Sequence, residues 1–260
     1  MPNKEKYTLL NNSRFFVLVS SFFISLIVIS FVRLQTTNDQ VFYIRSEQIF
    51  GFLSIIYWYV ALIISPLGYV IGKQRLVHVA FARRAIGVSA FYFASLHMTI
   101  ALWGQLGGIN GLVHLPDSFR LSIFGGFVAL FILFLMAMTS FDKVISFMTF
   151  RRWKWLHRLV YGGGVLAILH IWSVGTHLSY SPIQIIAFIA LSILIGLEGF
   201  RLVTLLTKQY DELKSKDYFY TLVITIWLVG SVSLFAIPGL IKNYHGAHHS
   251  ATTSSETKSK

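Results

Sequence analysis

The sequence has no cysteine among its 260 residues, and only 12% of its residues are charged. Without cysteine the chain cannot form a disulfide, bind an iron–sulfur cluster through thiolates, or attach a haem covalently. Its glycines fall inside apolar runs, so the glycine-rich strand-to-helix motif of dinucleotide-binding domains is missing as well. These absences exclude several redox centres and leave no segment that could form a soluble nucleotide-binding domain.

What the chain has instead is apolar surface: 55% of its residues are hydrophobic and 16% aromatic, and the mean hydropathy is +0.66. This composition is typical of a polytopic membrane protein. We therefore expect an all-α integral membrane protein, a bundle of about seven transmembrane helices. The first apolar run lacks a cleavage-site pattern and is expected to be a retained span. The predicted spans are 15–32, 49–72, 86–106, 120–140, 157–174, 183–206 and 219–241.

Polar segments flank this predicted membrane domain, which covers residues 15–241. Residues 1–14 form a short basic lead that we expect in the cytoplasm. Residues 242–260 are rich in His, Ser, Thr and Lys and are expected to form a disordered tail.

The charge is strongly basic, with 22 Lys and Arg against 10 Asp and Glu. In a membrane protein such an excess marks cytoplasmic loops beside lipid, and it does not indicate a nucleic-acid partner. With the N-terminus in the cytoplasm, sixteen of the basic residues fall on the inner side and six on the outer side. We therefore expect a multi-pass protein of the inner or plasma membrane, with a cytoplasmic N-terminus and an extracytoplasmic C-terminus.

The third and fifth predicted spans carry histidines at matching depth. His97 lies thirteen residues after Arg84, and His170 lies thirteen residues after His157. Both spans are expected to run outward, and each begins at a cluster of basic residues. At ~1.5 Å per residue, His97 and His170 each lie roughly 20 Å beyond the start of their span. An imidazole in lipid is costly unless it is ligated or paired, and histidine is a common axial ligand of haem iron. The spacing therefore predicts a haem between spans 3 and 5, with His97 and His170 as its ligands.

His157 and His170 point about 140° apart on an ideal helix, so they share a face only if the helix is distorted between them. The glycines of residues 162–164 allow a π-bulge or a kink there, and Gly163 could let a flat macrocycle touch the backbone. His157 would then be a ligand of an inner cofactor. Alternatively, His157 faces a different cofactor from His170.

Simpler explanations exist for each of these residues. A histidine within the membrane often serves only to form a hydrogen bond to a neighbouring helix. A run of glycines often serves only to let two helices pack closely. Arg84, Arg152 and Arg158 could bind anionic groups such as haem propionates or a flavin phosphate, or they could simply set the topology. Expected to be ordinary loop or tail residues are His78, His114, His177, His245, His248 and His249.

Two motifs carry a resemblance to a known family. Residues 83–87 read Arg-Arg-x-x-Gly, and residues 153–161 read Trp-x-x-Leu-His-x-x-Val-Tyr, with sixty residues from His97 to His157. They resemble the ferric-reductase-like transmembrane family, and within it the haem-binding subunits of bacterial methionine-sulfoxide reductase systems. The resemblance covers about residues 50–205 and is strongest over 82–175. It implies a b-type haem bound by histidines of spans 3 and 5.

The chain departs from this family in two respects. The fused ferric reductases and NADPH oxidases carry cytosolic flavin and nucleotide domains after the sixth span, whereas a seventh span is predicted here. Those relatives also carry two histidines on span 3, and the inner position here is Arg84. We therefore expect one firmly held haem, while a second haem, FMN or a quinone near His157 stays open.

The resemblance implies an oxidoreductase subunit that passes electrons outward across the membrane. Its donor would be a cytosolic flavin reductase or quinol, and its acceptor an extracytoplasmic protein reductase, such as a methionine-sulfoxide reductase, or a metal ion. A second reading is a non-redox membrane protein, a small transporter or an assembly factor, whose histidines are structural. A third is a terminal reductase of ferric or cupric ions.

Overall fold

The computed structural model describes residues 4–72, 74–175, 181–209, 215–233 and 236, and within these ranges every regular element is a helix. The long helices are α1 (Lys4–Gln35), α2 (Asp39–Ile71), α3 (Val77–Thr99), α5 (Asp117–Met138), α8 (Leu159–Val174) and α9 (Ser181–Gln209). Short helices are α4 (Ile109–Val113), α6 (Asp142–Met148) and α7 (Phe150–Leu156), and a π-helix covers Ile100–Gln105. Residues 216–233 form a further helix, α10. The all-α prediction is confirmed.

Five helical stretches of the described chain are long and apolar enough to cross a membrane: Asn12–Gln35, Asp39–Ile71, Val79–Gln105, Phe119–Met138 and Ile183–Gln209. They correspond to the first, second, third, fourth and sixth predicted spans. The chain is therefore a multi-span membrane protein. α8 has 16 residues and α10 covers 216–233, and neither is among the five, so the fifth and seventh spans stay predictions.

α2 begins ten residues before the predicted span at 49, because the polar segment in front of the apolar run is helical as well. The side chain of Asn38 accepts a hydrogen bond from the backbone N–H of Val41 at 3.2 Å and caps the helix. Asp39 places a negative charge in the first turn, where the helix dipole favours it. As a result Glu47, expected in a loop, lies on a transmembrane helix.

The chain divides into two compact units, Met1–Ile168 and Leu169–Lys260. In the first, the contacts give the directions of the first three helices. Ser21 donates to Ser89 at 2.8 Å, and Ser25 bonds Tyr92 at 2.8 Å, so α1 and α3 run parallel. α2 runs antiparallel to α3, since its residues pair with α3 in reverse order: Glu47 with His97, Phe50 with Phe93, Ser54 with Ala90 and Ala61 with Arg83.

The core of the first unit joins four helices. Trp58 of α2, Ala90 of α3, Ala129 and Leu133 of α5, and Ala167 of α8 form one buried cluster. Small residues from α3, α5 and α8 surround the single large ring of Trp58, which is 5% exposed. Small side chains let membrane helices approach closely, so this cluster fixes α8 beside α2 and α3.

The structure has a π-helix, but it does not lie at the glycines of residues 162–164, where the sequence allows a bulge or a kink. α8 is α-helical through the glycines of 162–164, where a Cβ on Gly163 would lie 3.1 Å from Ile132 and 3.3 Å from Trp58. Gly163 thus permits close packing, and this packing supports the helix. The π-helix instead follows His97, at Ile100–Gln105, where a Cβ on Gly104 would lie 2.6 Å from the ring of Tyr43.

The second unit contains an antiparallel pair, α9 and α10. Ser192 bonds Ser231 at 2.8 Å, and the indole of Trp227 donates to the Ser192 hydroxyl at 3.1 Å. Glycines bring the two helices together, since a Cβ on Gly196 would lie 3.1 Å from Trp227 and one on Gly199 would lie 3.0 Å from Ile226. This hairpin therefore uses glycine for packing.

Candidate functional site

His97 lies on α3, one turn before the π-helix, with 27% of its side chain exposed. Its Nδ1 is 3.0 Å from the backbone carbonyl oxygen of Glu47 on α2. Because a carbonyl can only accept, the imidazole carries its proton on Nδ1, and Nε2 is the basic nitrogen. Histidines that bind metals usually donate the other ring N–H to a carbonyl or carboxylate in this way. The orientation of His97 therefore fits an iron ligand.

The absence of a side chain at Gly51 leaves room for the His97 ring in this orientation. A Cβ at Gly51 would lie 3.0 Å from Nδ1 and 3.3 Å from Cε1 of His97. Glu47 and Gly51 are one helical turn apart, so they share a face of α2. The ring of His97 rests over the bare backbone of Gly51 and reaches the Glu47 carbonyl. We call this place, formed by Glu47 and Gly51, the α2 notch.

The Glu47 carboxylate lies beside the same imidazole, with Oε1 3.7 Å from Nδ1 and 17% of the side chain exposed. That distance is too long for a hydrogen bond, so the interaction between the carboxyl group and the ring is electrostatic. Sequence reasoning missed Glu47, because it placed the residue in a charge-balanced loop. The detectable signal is Glu47 and Gly51 at i, i+4 just inside an apolar run, opposite a span with an intramembrane histidine.

His170 lies on α8, half-buried, within the second unit. Three residues before it, Ala167 belongs to the core cluster of the first unit, and Ala94 of α3 packs against that cluster. Ala94 likewise precedes His97 by three residues. Ala167 and His170 therefore lie on the same side of α8, as Ala94 and His97 do on α3.

The buried donor atoms include two indoles. Nε1 of Trp58 and Nε1 of Trp172 are buried without a hydrogen-bond partner in the part of the chain that the structure describes. An unsatisfied buried donor costs ~1–3 kcal/mol. Trp172 is two residues from His170, and residues at that spacing lie on opposite sides of a helix.

His157 lies in the turn between α7 and α8, so an ideal-helix angle to His170 does not apply. Its Nε2 is 3.3 Å from the Thr139 hydroxyl, whose own proton is donated to the Leu135 carbonyl at 2.6 Å. Nε2 of His157 is therefore the donor, unlike Nε2 of His97. Burial, followed by the positive charges of Arg83 and Arg84, lowers the pKa of His157 from 6.5 to about 4.

Arg84 lies at this same end of the first unit. Its guanidinium is 5.6 Å from the ring centre of Trp153, whose ring centre is 4.1 Å from that of His157. Arg84 and His157 thus contact the same indole, in agreement with the equal depth that their spacing predicts. A cation on an aromatic face is stabilised by about 0.5–1 kcal/mol at an exposed site.

Asp142 joins Arg84 to the start of the chain. Its carboxylate pairs with Arg84 at 2.5 Å and with Arg14 at 3.0 Å. Burial raises the pKa of Asp142, but the hydrogen bonds and charges of Arg14 and Arg84 together lower it by more. We call Arg14, Arg84 and Asp142 the inner clamp. Three segments expected on the cytoplasmic side therefore meet at one end of the unit.

Comparison with known proteins identifies the family to which the chain belongs. Residues 50–168 match the family described as ferric reductase-like transmembrane component. The protein-methionine-sulfoxide reductase heme-binding subunit of Ralstonia nicotianae is 30% identical over 177 residues, which are 67% of this chain and 78% of that protein. The chain belongs to the ferric reductase-like transmembrane family.

Other family members with the same name are also similar. The heme-binding subunit of Herminiimonas arsenicoxydans is 37% identical over 117 residues, 44% of this chain and 53% of that protein. The Bordetella pertussis subunit is 34% identical over 138 residues, 53% of this chain and 63% of that protein. Each of these two matches therefore spans between half and two thirds of the relative's length. No solved structure matches the chain.

The family match has informative limits. It includes His97, His157 and Gly163, but it ends two residues before His170 and begins three residues after Glu47. The matched region therefore contains His97, and α8 carries His170 just beyond the match. Glu47 and Gly51 straddle the start of the matched region.

The remaining predicted residues are more peripheral. The guanidinium of Arg158 lies 4.7 Å from the ring centre of Trp155, and Arg152 is exposed. His114 is exposed in a loop, whereas His177 and the tail histidines lie outside the described residues. In the described part of the chain no three His, Asp or Glu side chains form a metal-binding group. A haem needs no such group, since it brings its own equatorial nitrogens and takes only axial ligands from protein.

Proposed function

We propose that this protein is a transmembrane electron-transfer haem b subunit that passes electrons from the cytosolic to the extracytoplasmic side. Its donor is a cytosolic flavoprotein or quinol. Its acceptor is an extracytoplasmic protein reductase, such as a methionine-sulfoxide reductase, or a metal ion. The proposal is supported by family membership and by the names of the relatives, which are heme-binding subunits of a protein-methionine-sulfoxide reductase.

His97 and His170 are the axial ligands in this proposal. The hydrogen bond from Nδ1 of His97 to the Glu47 carbonyl carries the argument, because it leaves Nε2 as the ligating atom. The shared spacing from Ala94 and Ala167, which meet in one cluster, supports His170 as the partner. A haem held by two imidazoles supplies a one-electron carrier in the apolar part of the membrane.

The surrounding side chains would exclude water from this level of the protein. Phe50 and Phe93 are fully buried, with ring centres 6.1 Å apart, and Tyr57 packs against Phe93 at 5.1 Å. A dry, apolar shell influences the potential of a metal centre by limiting solvation of its charge. These rings also hold α2 against α3, and so maintain the α2 notch.

The inner end has a different role in the proposal. His157, Arg84, Arg152 and Arg158 would bind an inner cofactor or its anionic groups, which could be FMN, a quinone or a second haem. To ligate through Nε2, His157 must give up its Thr139 contact. Gly163 would serve this region by close packing against Trp58. We therefore propose one firmly held haem, at the outer histidines.

The proposed orientation has the inner clamp in the cytoplasm, seven spans, and an extracytoplasmic C-terminus. It is supported by the parallel course of α1 and α3 and by the meeting of Arg14, Arg84 and Asp142 at one end. Basic residues favour the cytoplasmic side of a membrane. Electrons entering near the inner clamp would then leave near the outer end of α3.

The test is the colour of the purified protein. Protein produced in haem-replete cells should show a Soret band, and dithionite should sharpen its α and β bands. A colourless preparation that is folded and monodisperse would refute the proposal and favour a non-redox membrane protein with structural histidines. A coloured protein that reduces ferric ions directly, but no protein acceptor, would favour a terminal metal-ion reductase.

A further inference from the structure

We propose that Glu47 is a positioning residue that sets the reduction potential of the centre held by His97. The inference rests on the proposed function, because it concerns the tuning of the ligand and leaves the ligand set unchanged. It assigns the two polar groups of Glu47 separate roles. The backbone carbonyl orients the imidazole of His97. The side-chain carboxylate changes the electrostatic potential at that imidazole and at the iron it would bind.

The first step is the hydrogen bond. Nδ1 of His97 donates to the Glu47 carbonyl at 3.0 Å, and the ring is held over Gly51 by contact. The imidazole is therefore fixed in one tautomer and one orientation. A neutral carbonyl acceptor polarises the N–H bond only moderately.

The second step is the carboxylate. Oε1 of Glu47 lies 3.7 Å from the same nitrogen, with only 17% of the Glu47 side chain exposed. No Lys or Arg of the described chain forms an ion pair with Glu47, and the imidazole of His97 is the ionisable group that lies beside its carboxyl group. A charge at this distance, in partly buried surroundings, acts on the ring and on a metal ion that the ring binds. The charge of Glu47 is thus directed at one imidazole.

The third step is the effect on the iron that this imidazole would bind. The oxidised state has one more positive charge than the reduced state, so a nearby negative charge favours the oxidised state. A carboxylate beside Nδ1 also makes the imidazole a stronger electron donor. Both effects lower the reduction potential. A lower potential makes the protein a better reductant toward an extracytoplasmic acceptor.

Glu47→Gln tests the charge while it preserves the size of the side chain and the backbone carbonyl. The midpoint potential of the purified protein, measured by spectroelectrochemical titration, should rise, and the low-spin Soret and α bands should remain. Glu47→Asp, which keeps the charge, should stay closer to wild type. Glu198→Gln is the matched control, since Glu198 is also half-buried, with 21% of its side chain exposed and Arg201 at 3.0 Å. Its potential should equal that of wild type.

The possible failures are distinguishable. An unchanged potential in Glu47→Gln, with the haem retained, overturns the inference and leaves the proposed function intact. If the Glu47→Gln protein binds no haem, its potential cannot be measured, and the Glu47→Asp protein is measured in its place. Loading with a near-wild-type potential supports a role for the charge, whereas failure of both variants overturns it in favour of a purely structural role. A wild-type protein without haem refutes the proposed function itself.

Discussion

Adding one methyl group at Gly51 should displace the imidazole of His97 without changing the histidine itself. In Gly51→Ala the new Cβ would lie 3.0 Å from Nδ1 and 3.3 Å from Cε1 of His97. Carbon atoms at optimal separation are about 3.5–4.0 Å apart. The ring must therefore move away from α2 by a few tenths of an ångström. That movement stretches the 3.0 Å hydrogen bond to the Glu47 carbonyl.

The expected size follows from opposing terms. Alanine in a helix is favoured over glycine by roughly 0.5–1 kcal/mol. Overpacking a core costs about 1–3 kcal/mol, and weakening a hydrogen bond costs up to ~1 kcal/mol. The balance is a destabilisation of ~1–2 kcal/mol, located at the ligand. A ligand shifted in this way should hold its haem less firmly and show an altered low-spin signal.

Gly125→Ala on α5 is the matched control, because no described atom would lie within 4 Å of its Cβ. Both variants and wild type should be purified in one detergent and compared by haem content, electron paramagnetic resonance and thermal loss of the Soret band. We expect Gly51→Ala to lose its Soret band at a lower temperature and to shift its low-spin resonance. If Gly51→Ala matches Gly125→Ala in all three measurements, the ring of His97 does not rest in the α2 notch.

The remaining predictions concern ligands, pH and orientation. His97→Ala and His170→Ala should each abolish the low-spin signal, and the double variant should be no worse than either one, since the two act as a unit; retention of the signal in either single variant would exclude that residue. Pyridine haemochrome should give one firmly held haem per chain, and a value of two low-spin centres would contradict this. The pKa of His157 is about 4 against 6.5 unfolded, so the unfolded state binds more protons between these values and thermal stability should fall as pH drops from about 6.5 to about 4. His157→Gln should reduce that slope, and an unchanged slope would show that His157 is not responsible. Reporters fused after Ser146 and Asn110 should read cytoplasmic and extracytoplasmic respectively, and the reverse would invert the proposed direction of electron flow.

Five of the seven predicted spans correspond to apolar helices of the structure, because hydropathy detects the residues that lie in hydrocarbon. It did not reveal how far the helices continue beyond it. α2 extends back to Asp39 and α3 back to Val77, over residues expected in loops. Polar and charged side chains in these segments reduce the hydropathy, although the helical backbone hydrogen bonds continue through them. α2 begins with the side-chain cap of Asn38, whereas α3 begins without a side-chain cap. The short helices α6 and α7 were likewise expected as loop.

Depth along a helix was the most predictable property of the site. Along a continuous helix it depends only on the rise per residue, which is nearly constant, and the short turn at His157 changes it little. Arg84 and His157 accordingly meet at Trp153, as their equal distance from the outer histidines suggests. Rotation was not predictable, because which face of α3 meets α2 depends on the packing of both helices. Glu47 could be recognised only once the antiparallel register placed it opposite His97.

The glycines show why local composition misplaced the irregular segment. A run of three glycines lowers the cost of distorting a helix, but distortion also needs a contact that demands it. In α8 the contact of Gly163 with Trp58 is satisfied by a regular helix. At Gly104 the ring of Tyr43 comes so close that a Cβ would lie 2.6 Å from it, and there the helix is π. Gly51 and Gly104 both mark close contacts between α2 and the segment that carries His97: Gly51 meets the His97 ring, and Gly104 meets Tyr43 of α2. These contacts hold α2 against that segment at His97 itself and seven residues beyond it, where a ligand needs a rigid support.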